Sequence, residues 1–312
     1  MTTSRGTIFQ PELVSDLINK VQGSSALSAL SQAQPIPFNG TKEFTFNMDK
    51  EIDVVAENGK KTEGGVSLSP IVIQPIKVEY GARLSDEFVY ASEEEQINFM
   101  QAFNDGFARK LAKGLDLMAI LGINPRTGKA SEVIGENCFA KKINENHKAK
   151  VELSKANPDD VIEQAITGLL AADQPVNGAI FSRPFTSKLA TVTTDKKGEG
   201  ARKYPQLAWG ANPGTLNGLP IQVTNNLLFG DAKNHALIGD FAGSFRWGYT
   251  KQIPVEVIRY GDPDNSGFDL KGYNQVYVRA ETYLGWGILN PAAFASVEET
   301  APKPAASPKP GA

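Results

Sequence analysis

Between Glu93 and Leu121, the residues Ile97, Met100, Phe103, Phe107, Leu111, Leu115, Met118 and Leu121 recur at intervals of three or four. That rhythm puts all of them on one side of a single α-helix. At 1.5 Å per residue such a helix runs for about 40 Å, well above the usual length. Ser92 with Glu95 predicts a capping box at its start. Gly122 followed by Pro125 predicts its stop. Gly106 and Gly114 inside it each cost about 1 kcal/mol relative to alanine, and they admit close backbone approach there.

The residues before this helix lack a core of their own. Leu13, Val14, Leu17, Ile18 and Val21 share one helical face, and Gly23-Ser24-Ser25 breaks it. Ala26, Leu27, Ala29 and Leu30 then lead into the extended segment Pro35-Ile36-Pro37-Phe38. The whole resembles an arm. Phe44, Phe46 and Met48 alternate with Thr45 and Asn47, as in a strand. The polar turn stretch Glu57 to Gly65 follows, and extended chain returns from Val66 to Tyr80, interrupted by Pro70 and Pro75. These signals predict a two-stranded finger with a polar tip. An isolated finger is marginal in water, so arm and finger are expected to need a surface supplied by another copy.

Beyond the long helix, Asn157-Pro158 starts a second one, with Val161, Ile162, Ala165, Ile166, Leu169 and Leu170 as its apolar face. Short strands are predicted at 179–181, 221–223, 236–238 and 255–258. A longer one begins at Val276 and runs on through Trp286 and Ile288 to Pro291. The Gly/Pro-rich loop from Thr194 to Pro220 is long enough to be functional or mobile. The residues from Ala301 to Ala312 are a Pro/Ala/Lys tail too poor in apolar groups to fold. The class is α+β.

Catalytic chemistry is hard to place. His147 and His235 sit in polar stretches without metal-ligand spacing, so surface positions are expected for both. Cys138, the one cysteine, excludes an internal disulfide and is expected to be a small apolar residue. Gly122 to Ala130 imitates a phosphate loop. Its glycines are one residue too far apart, Ala130 lacks the hydroxyl for magnesium, and a helix precedes it. Asp262 to Gly267 imitates half of a calcium loop, but its twelfth position is Tyr273 rather than Glu. Turns are predicted at both, with no metal and no cofactor. The 32 Lys+Arg against 35 Asp+Glu speak against a dedicated nucleic-acid binder. No apolar run reaches the length of a membrane span, and no signal peptide is recognised at the start.

Three stretches carry a family resemblance: Asp53-Val54-Val55-Ala56-Glu57 with Lys61; Ile180-Phe181-Ser182-Arg183-Pro184 with Asn217 to Val223 and Ile238-Gly239-Asp240-Phe241; and Tyr273 to Phe294, especially Arg279-Ala280-Glu281 and Leu289 to Phe294. Their order resembles the "Hong Kong ninety-seven" capsid fold of tailed-bacteriophage major capsid proteins, which encapsulins share. The resemblance implies an N-terminal arm (1–38), an extended E-loop hairpin (39–82) and a P-domain with a long spine helix (83–156). An A-domain (157–249), returning A-domain and P-domain strands (250–298) and a flexible tail (299–312) complete it. It implies self-assembly into hexamers and pentamers of an icosahedral shell around phage DNA. The DNA would be contacted non-specifically, and assembly would take place in the host cytoplasm. The implied partners are a separate scaffolding protein, since no scaffolding segment precedes the arm, a portal and a decoration protein.

Some members of that family join subunits by an isopeptide bond between an E-loop lysine and an asparagine on another subunit, assisted by a glutamate of a third. The matching positions are Lys61, Asn274 and Glu281. A lysine must shed a proton to attack, and a desolvated carboxylate can take it. The structural alternative has Glu281 pairing with Arg279 or Arg83. Asn274 and Glu281 are an odd number apart, so they suit one site only if Asn274 lies in the turn before the strand. Two rival functions stand beside the phage shell. One is an encapsulin enclosing a cargo enzyme. The other is a soluble hydrolase or sugar-binding protein, which the missing catalytic constellation and the long finger disfavour.

Overall fold

A computed structural model describes residues 25–48, 50–87, 93–151, 157–195, 200–250 and 255–299. The helical face at Leu13 to Val21, the break at Gly23-Ser24, Ser92 of the capping box and the Pro/Ala tail from residue 300 lie outside the described residues. The chain divides into two compact units. One takes the residues up to Lys142 together with Phe241–Pro291; the other takes Ile143–Asp240 and the residues from Ala292 on.

In the first unit the long helix α2 spans Glu93–Asp116 and passes into one π-helical turn, Leu117–Leu121. Gly122 stops it in the left-handed conformation (φ 70°) that glycine adopts without penalty. Met100, Phe107, Leu111, Leu115 and Met118 of the predicted stripe are buried. The wider π turn brings Leu117, Ala119 and Ile120 into the core as well. Pro125 lies 3.6 Å from where a Cβ on Gly114 would sit, whereas Gly106 faces open space. The neighbours of Gly114 are side chains at ordinary van der Waals distance, so the close backbone approach expected at the two glycines is found at neither.

The helix shares its unit with an antiparallel sheet centred on β11 (Gln275–Ile288). Strand β3 (Ile76–Ser85) pairs along one side of it; β10 (Val255–Ile258) and then β9 (Phe245–Tyr249) pair along the other. Val276, Val278, Ala280, Thr282 and Leu284 of β11 are buried, and Gln275, Arg279, Glu281 and Tyr283 alternate with them on the more open face. Residues 76–82, allotted to the E-loop from the sequence, thus belong to the body sheet; the bend at Gln74-Pro75 ends the finger. Short helices α3 (Phe139–Lys142) and α6 (Phe241–Ser244) pack Phe139 and Phe241 together in this unit.

The arm residues that are described do not wait for another copy. Helix α1 (Ala26–Leu30) has Ser25 as its N-cap. The buried Asp116 carboxylate accepts from Ser25 Oγ (2.5 Å), Ala26 N (3.1 Å) and Leu27 N (3.2 Å). The next residues run beside β9, where Gln34 N donates to Trp247 O (2.9 Å) and Ile36 N to Tyr249 O (3.0 Å). Leu27 and Ile36 are buried on their own chain. The expectation failed here because a carboxylate between Leu115 and Leu117 supplies the acceptors that the arm lacks.

The second unit is a six-stranded mixed sheet ordered β4-β12-β8-β5-β7-β6. The strands are β4 (Lys148–Val151), β5 (Gly178–Ser182), β6 (Thr215–Leu216), β7 (Leu219–Thr224), β8 (Asn234–Gly239) and β12 (Phe294–Glu299). Pairs β4–β12 and β5–β7 are parallel and the rest antiparallel. Glu299, assigned to the tail, is the last residue of β12, and β9, assigned to the A-domain range, pairs in the other unit. Helix α4 (Pro158–Ala171) starts with Asn157 accepting from Asp159 N (3.4 Å) and Pro158 in its first turn. With α5 (Arg183–Leu189) it covers a core of Leu169, Phe181, Phe185, Leu189, Ile221 and Ile238. Leu170, expected on the apolar face, is 56 % exposed. The long loop is fastened at its middle, where Lys203 and Tyr204 both donate to Asp159 and Tyr204 and Leu207 are buried.

Two substitutions test how the arm is held. Asp116→Ala leaves three buried donors without their acceptor and is expected to cost about 3 kcal/mol. Gly248→Ala places a Cβ 1.6 Å from Gln34 O and is expected to free residues 33–36 with a smaller loss of stability. Denaturant unfolding gives the first, and amide exchange at Gln34 and Ile36 gives the second.

Candidate assembly surface

Strands β1 (Thr41–Met48) and β2 (Val66–Ile73) form the predicted finger, paired antiparallel from Thr41↔Ile73 to Met48↔Val66. The register sets Phe44 opposite Pro70 and Met48 opposite Val66. Because side chains alternate between faces, Phe44, Met48, Val66, Leu68 and Val72 share one side of the ribbon. Each of the five is roughly half exposed or more. On the other side, at the base, Ile73 is buried close to Gly285 and Gly287 of β11. The finger is thus seated on its own body by one face at its root and bare along the other.

The tip, residues 50–65, has no strand pairing. Lys50 Nζ donates to Glu63 O (3.0 Å) across its neck, and Gly59 N to Ala56 O (2.8 Å) closes a turn with Asn58 left-handed at φ 66°. Ile52 and Val54 are each 94 % exposed. Apolar side chains gathered in this way mark contact surfaces.

The three residues matched to the cross-linking positions are not together in one chain. Lys61 is exposed on the tip. Asn274 is exposed, left-handed at φ 52°, in the turn that precedes β11, where the odd spacing to Glu281 requires it to be. Glu281 lies seven positions further along the chain, about 23 Å at a strand's rise. Glu281 is held by two cations, Lys77 (2.9 Å) and Arg279 (3.0 Å), and Arg279 also donates to Glu256 (3.0 Å) on β10. Glu281 joins this cross-strand ladder as an ion pair with Arg279, not with Arg83.

Arg83 does different work. Its guanidinium donates to Asp262 (2.7 Å), to both oxygens of Asp264 (2.5 and 3.0 Å), to Phe268 O (2.9 Å) and to Gln275 Oε1 (3.2 Å). The calcium-loop imitation is therefore a turn folded around an arginine. Asp262 also accepts from the Ser266 and Gly267 amides (3.0 and 2.7 Å). The phosphate-loop imitation is a turn too, closed by Asn124 N to Lys129 O and Gly128 N to Asn124 O (both 2.8 Å). Among the described residues no group of three or more His, Cys, Asp or Glu side chains is placed to hold a metal ion.

His235 corrects the sequence expectation. It is 2 % exposed, with Ser182 Oγ 3.0 Å from Nδ1, Glu299 Oε2 3.2 Å from Nε2, and the Phe185 ring stacked on it. The Ser–His–Glu order imitates a hydrolase relay. Ser182 is fully buried, however, and its hydroxyl caps α5 by accepting from Phe185 N (3.4 Å), so no substrate reaches it. The trio fastens the end of β12 to β8 and β5. His147 is half-buried. Cys138 is fully buried, and burial pushes its thiol up. Asp116 was the residue missed from sequence; a lone carboxylate inside the run Leu115 to Leu121 was the signal for it.

A family model described as the phage capsid family matches residues 6–298. Among solved structures, a chain from Mycobacterium phage Ogopogo is 30 % identical with a TM-score of 0.73, covering 89 % of this chain and 92 % of that one. A chain from Gordonia phage Cozz is 22 % identical with a TM-score of 0.72, covering 88 % and 86 %. The capsid of an empty GTA particle computed with C5 symmetry gives 14 % identity and a TM-score of 0.63, covering 96 % and 94 %. No curated protein matches the chain.

The Arg83 turn carries an acid-stability prediction. The guanidinium beside Asp264 holds its carboxyl well below the usual carboxylate range. A carboxylate depressed in the folded chain contributes stability above its unfolded pKa and loses it as pH falls through the folded one. The turn is therefore expected to stay closed from neutral pH down past about pH 4. In Arg83→Gln it is expected to open at neutral pH already. Amide exchange at Ser266 and Gly267 across that range reads both outcomes.

Proposed function

The chain belongs to the phage capsid family and serves as a major capsid protein of a virion shell; on that premise we propose how its copies join. The observation that carries the proposal is the one-sided ribbon: Phe44, Met48, Val66, Leu68 and Val72 share one uncovered face, and Ile52 and Val54 stand bare beyond it. Burying a Val, Leu, Ile, Phe or Met side chain is worth roughly 1.5–3 kcal/mol. A neighbouring copy that covers this face gains from several at once. The finger then acts as the E-loop laid over the next subunit, the first unit as the P-domain and the second as the A-domain around the axis of hexamers and pentamers. An encapsulin shell is not favoured, since the family match and the Ogopogo likeness are to phage proteins.

The rest of this reading is that assembly takes place in the host cytoplasm. A separate scaffolding protein, a portal and a decoration protein act with the chain, and the shell meets its packaged DNA without sequence preference. Covalent joining of Lys61 to Asn274, in which the Lys61 Nζ–Asn274 Cγ bond replaces Cγ–Nδ2 and the side-chain nitrogen leaves as ammonia, fits their exposure on the tip and in the turn before β11. Glu281, occupied by Lys77 and Arg279, has to exchange partners before it takes a proton. Denaturing electrophoresis of mature shells checks this: ladders above the monomer go with the bond, and a single band near the chain's 33.6 kDa rules it out.

The finger is tested directly. Val66→Asp with Leu68→Asp is expected to leave the subunit's stability within about 0.5 kcal/mol, as surface changes do, while particle yield in sedimentation falls at least tenfold. Deleting Glu57 to Gly65 is expected to block or weaken assembly. Normal, equally stable shells from both variants contradict the proposal.

A further inference from the structure

The solvent side of α2 has a chemistry unlike the finger's. Arg109, Lys110 and Lys113 are exposed, while Ala108, Leu111, Ala112 and Leu115 between and beside them are buried. Arg109 and Lys113, one turn apart, stand about 6 Å apart along the axis. Lys110 lies one turn before Gly114, against which Pro125 rests. Arg126 and Lys129 follow in the turn that begins there, and both are exposed. From residue 105 to 132 there are five cations against three carboxylates, Asp105, Asp116 and Glu132, in a chain whose net charge is -3. Asp116 is buried under the arm and faces no solvent.

Neither the helix dipole nor a contact between copies accounts for the cluster. Cations near a helix C-terminus interact favourably with its dipole, but Arg126 and Lys129 lie beyond the helix. A contact with another copy is expected to be anchored by large apolar or aromatic side chains. Among the residues from 98 to 133 whose exposure is described, Val133 (74 % exposed) is the one exposed side chain of that kind, too little to anchor such a contact.

We propose that Arg109, Lys110, Lys113, Arg126 and Lys129 form the surface that meets packaged double-stranded DNA, through its phosphates and without reading bases. This rests on the shell function and adds to it which side of the subunit faces inward. Cations grouped in this way bind a polyanion by releasing its counterions, which makes the contact steeply salt-dependent.

The test titrates a fluorescein-labelled mixed-sequence duplex with the full-length protein over a series of salt concentrations. Lys110→Gln, Arg126→Gln and Lys129→Gln are combined in one variant. The exposed lysines Lys188 and Lys233 of the second unit, both changed to Gln, are the control. The triple variant is expected to bind at least tenfold more weakly and to lower the log–log salt slope by about three, with the control unchanged. Equal losses in the control, an unchanged triple variant, or no salt-dependent binding by the parent overturns the proposal. Electron microscopy of the same preparations separates this from the shell function. Particles from the triple variant with unchanged DNA binding defeat the DNA surface alone, whereas a parent that forms no particles defeats the shell. A triple variant that loses particles but keeps its DNA binding shows the face to be a contact between copies, and overturns the proposal too.

Discussion

A carboxylate sealed from water is costly unless hydrogen bonds replace its hydration. The Ser25 hydroxyl and the first amides of α1 supply such bonds to Asp116. The path of the chain follows. With α1 pinned to the end of α2, the next residues run along β9, and the bond from the Trp247 indole to Ser31 O (3.1 Å) holds that course. The finger then leaves the body from a fixed root. An apolar residue at 116 would pack easily, but it would leave the amides at the start of α1 without an acceptor.

The two kinds of surface differ in how their local demands are met. On the open face of the β11 sheet, charges answer one another across strands, from Lys77 through Glu281 and Arg279 to Glu256. Such a face is content in water. The bare face of the ribbon has apolar groups with no counterpart among the described residues. The contrast separates a body whose surface charges are paired from an appendage that, on the proposed reading, gains its missing contacts by association. It is the arrangement a shell protein needs if subunits are to be soluble first and joined later.

Periodicity made the regular elements legible. The stripe to Leu121, the Asn157-Pro158 start and the alternation at Phe44 to Met48 each follow from one local rule, and each element formed where that rule put it. What was not legible depends on residues distant in sequence. His235 lies in a polar stretch, yet Ser182 and Glu299, 53 and 64 positions away, give its ring nitrogens partners and allow burial. Strand β9 escaped because Phe245-Arg246-Trp247-Gly248-Tyr249 is short, and its glycine is explained only by Gln34 passing over it. The arm was misjudged for the same reason: its acceptor is about 90 residues downstream. Lys61, Asn274 and Glu281 were found by likeness, and the pairing of Glu281 with Arg279, two residues apart on one strand, was one of the two alternatives the sequence offered.

Cys138 is the chain's one thiol. It sits in the closed interior, with its proton held more tightly than usual by burial. Reagents that modify accessible thiolates accordingly find little to react with on the native subunit. A cysteine introduced elsewhere, on the tip or on the cationic side of α2, becomes a unique chemical handle, and dyes or spin labels can be attached there without first removing a native competitor.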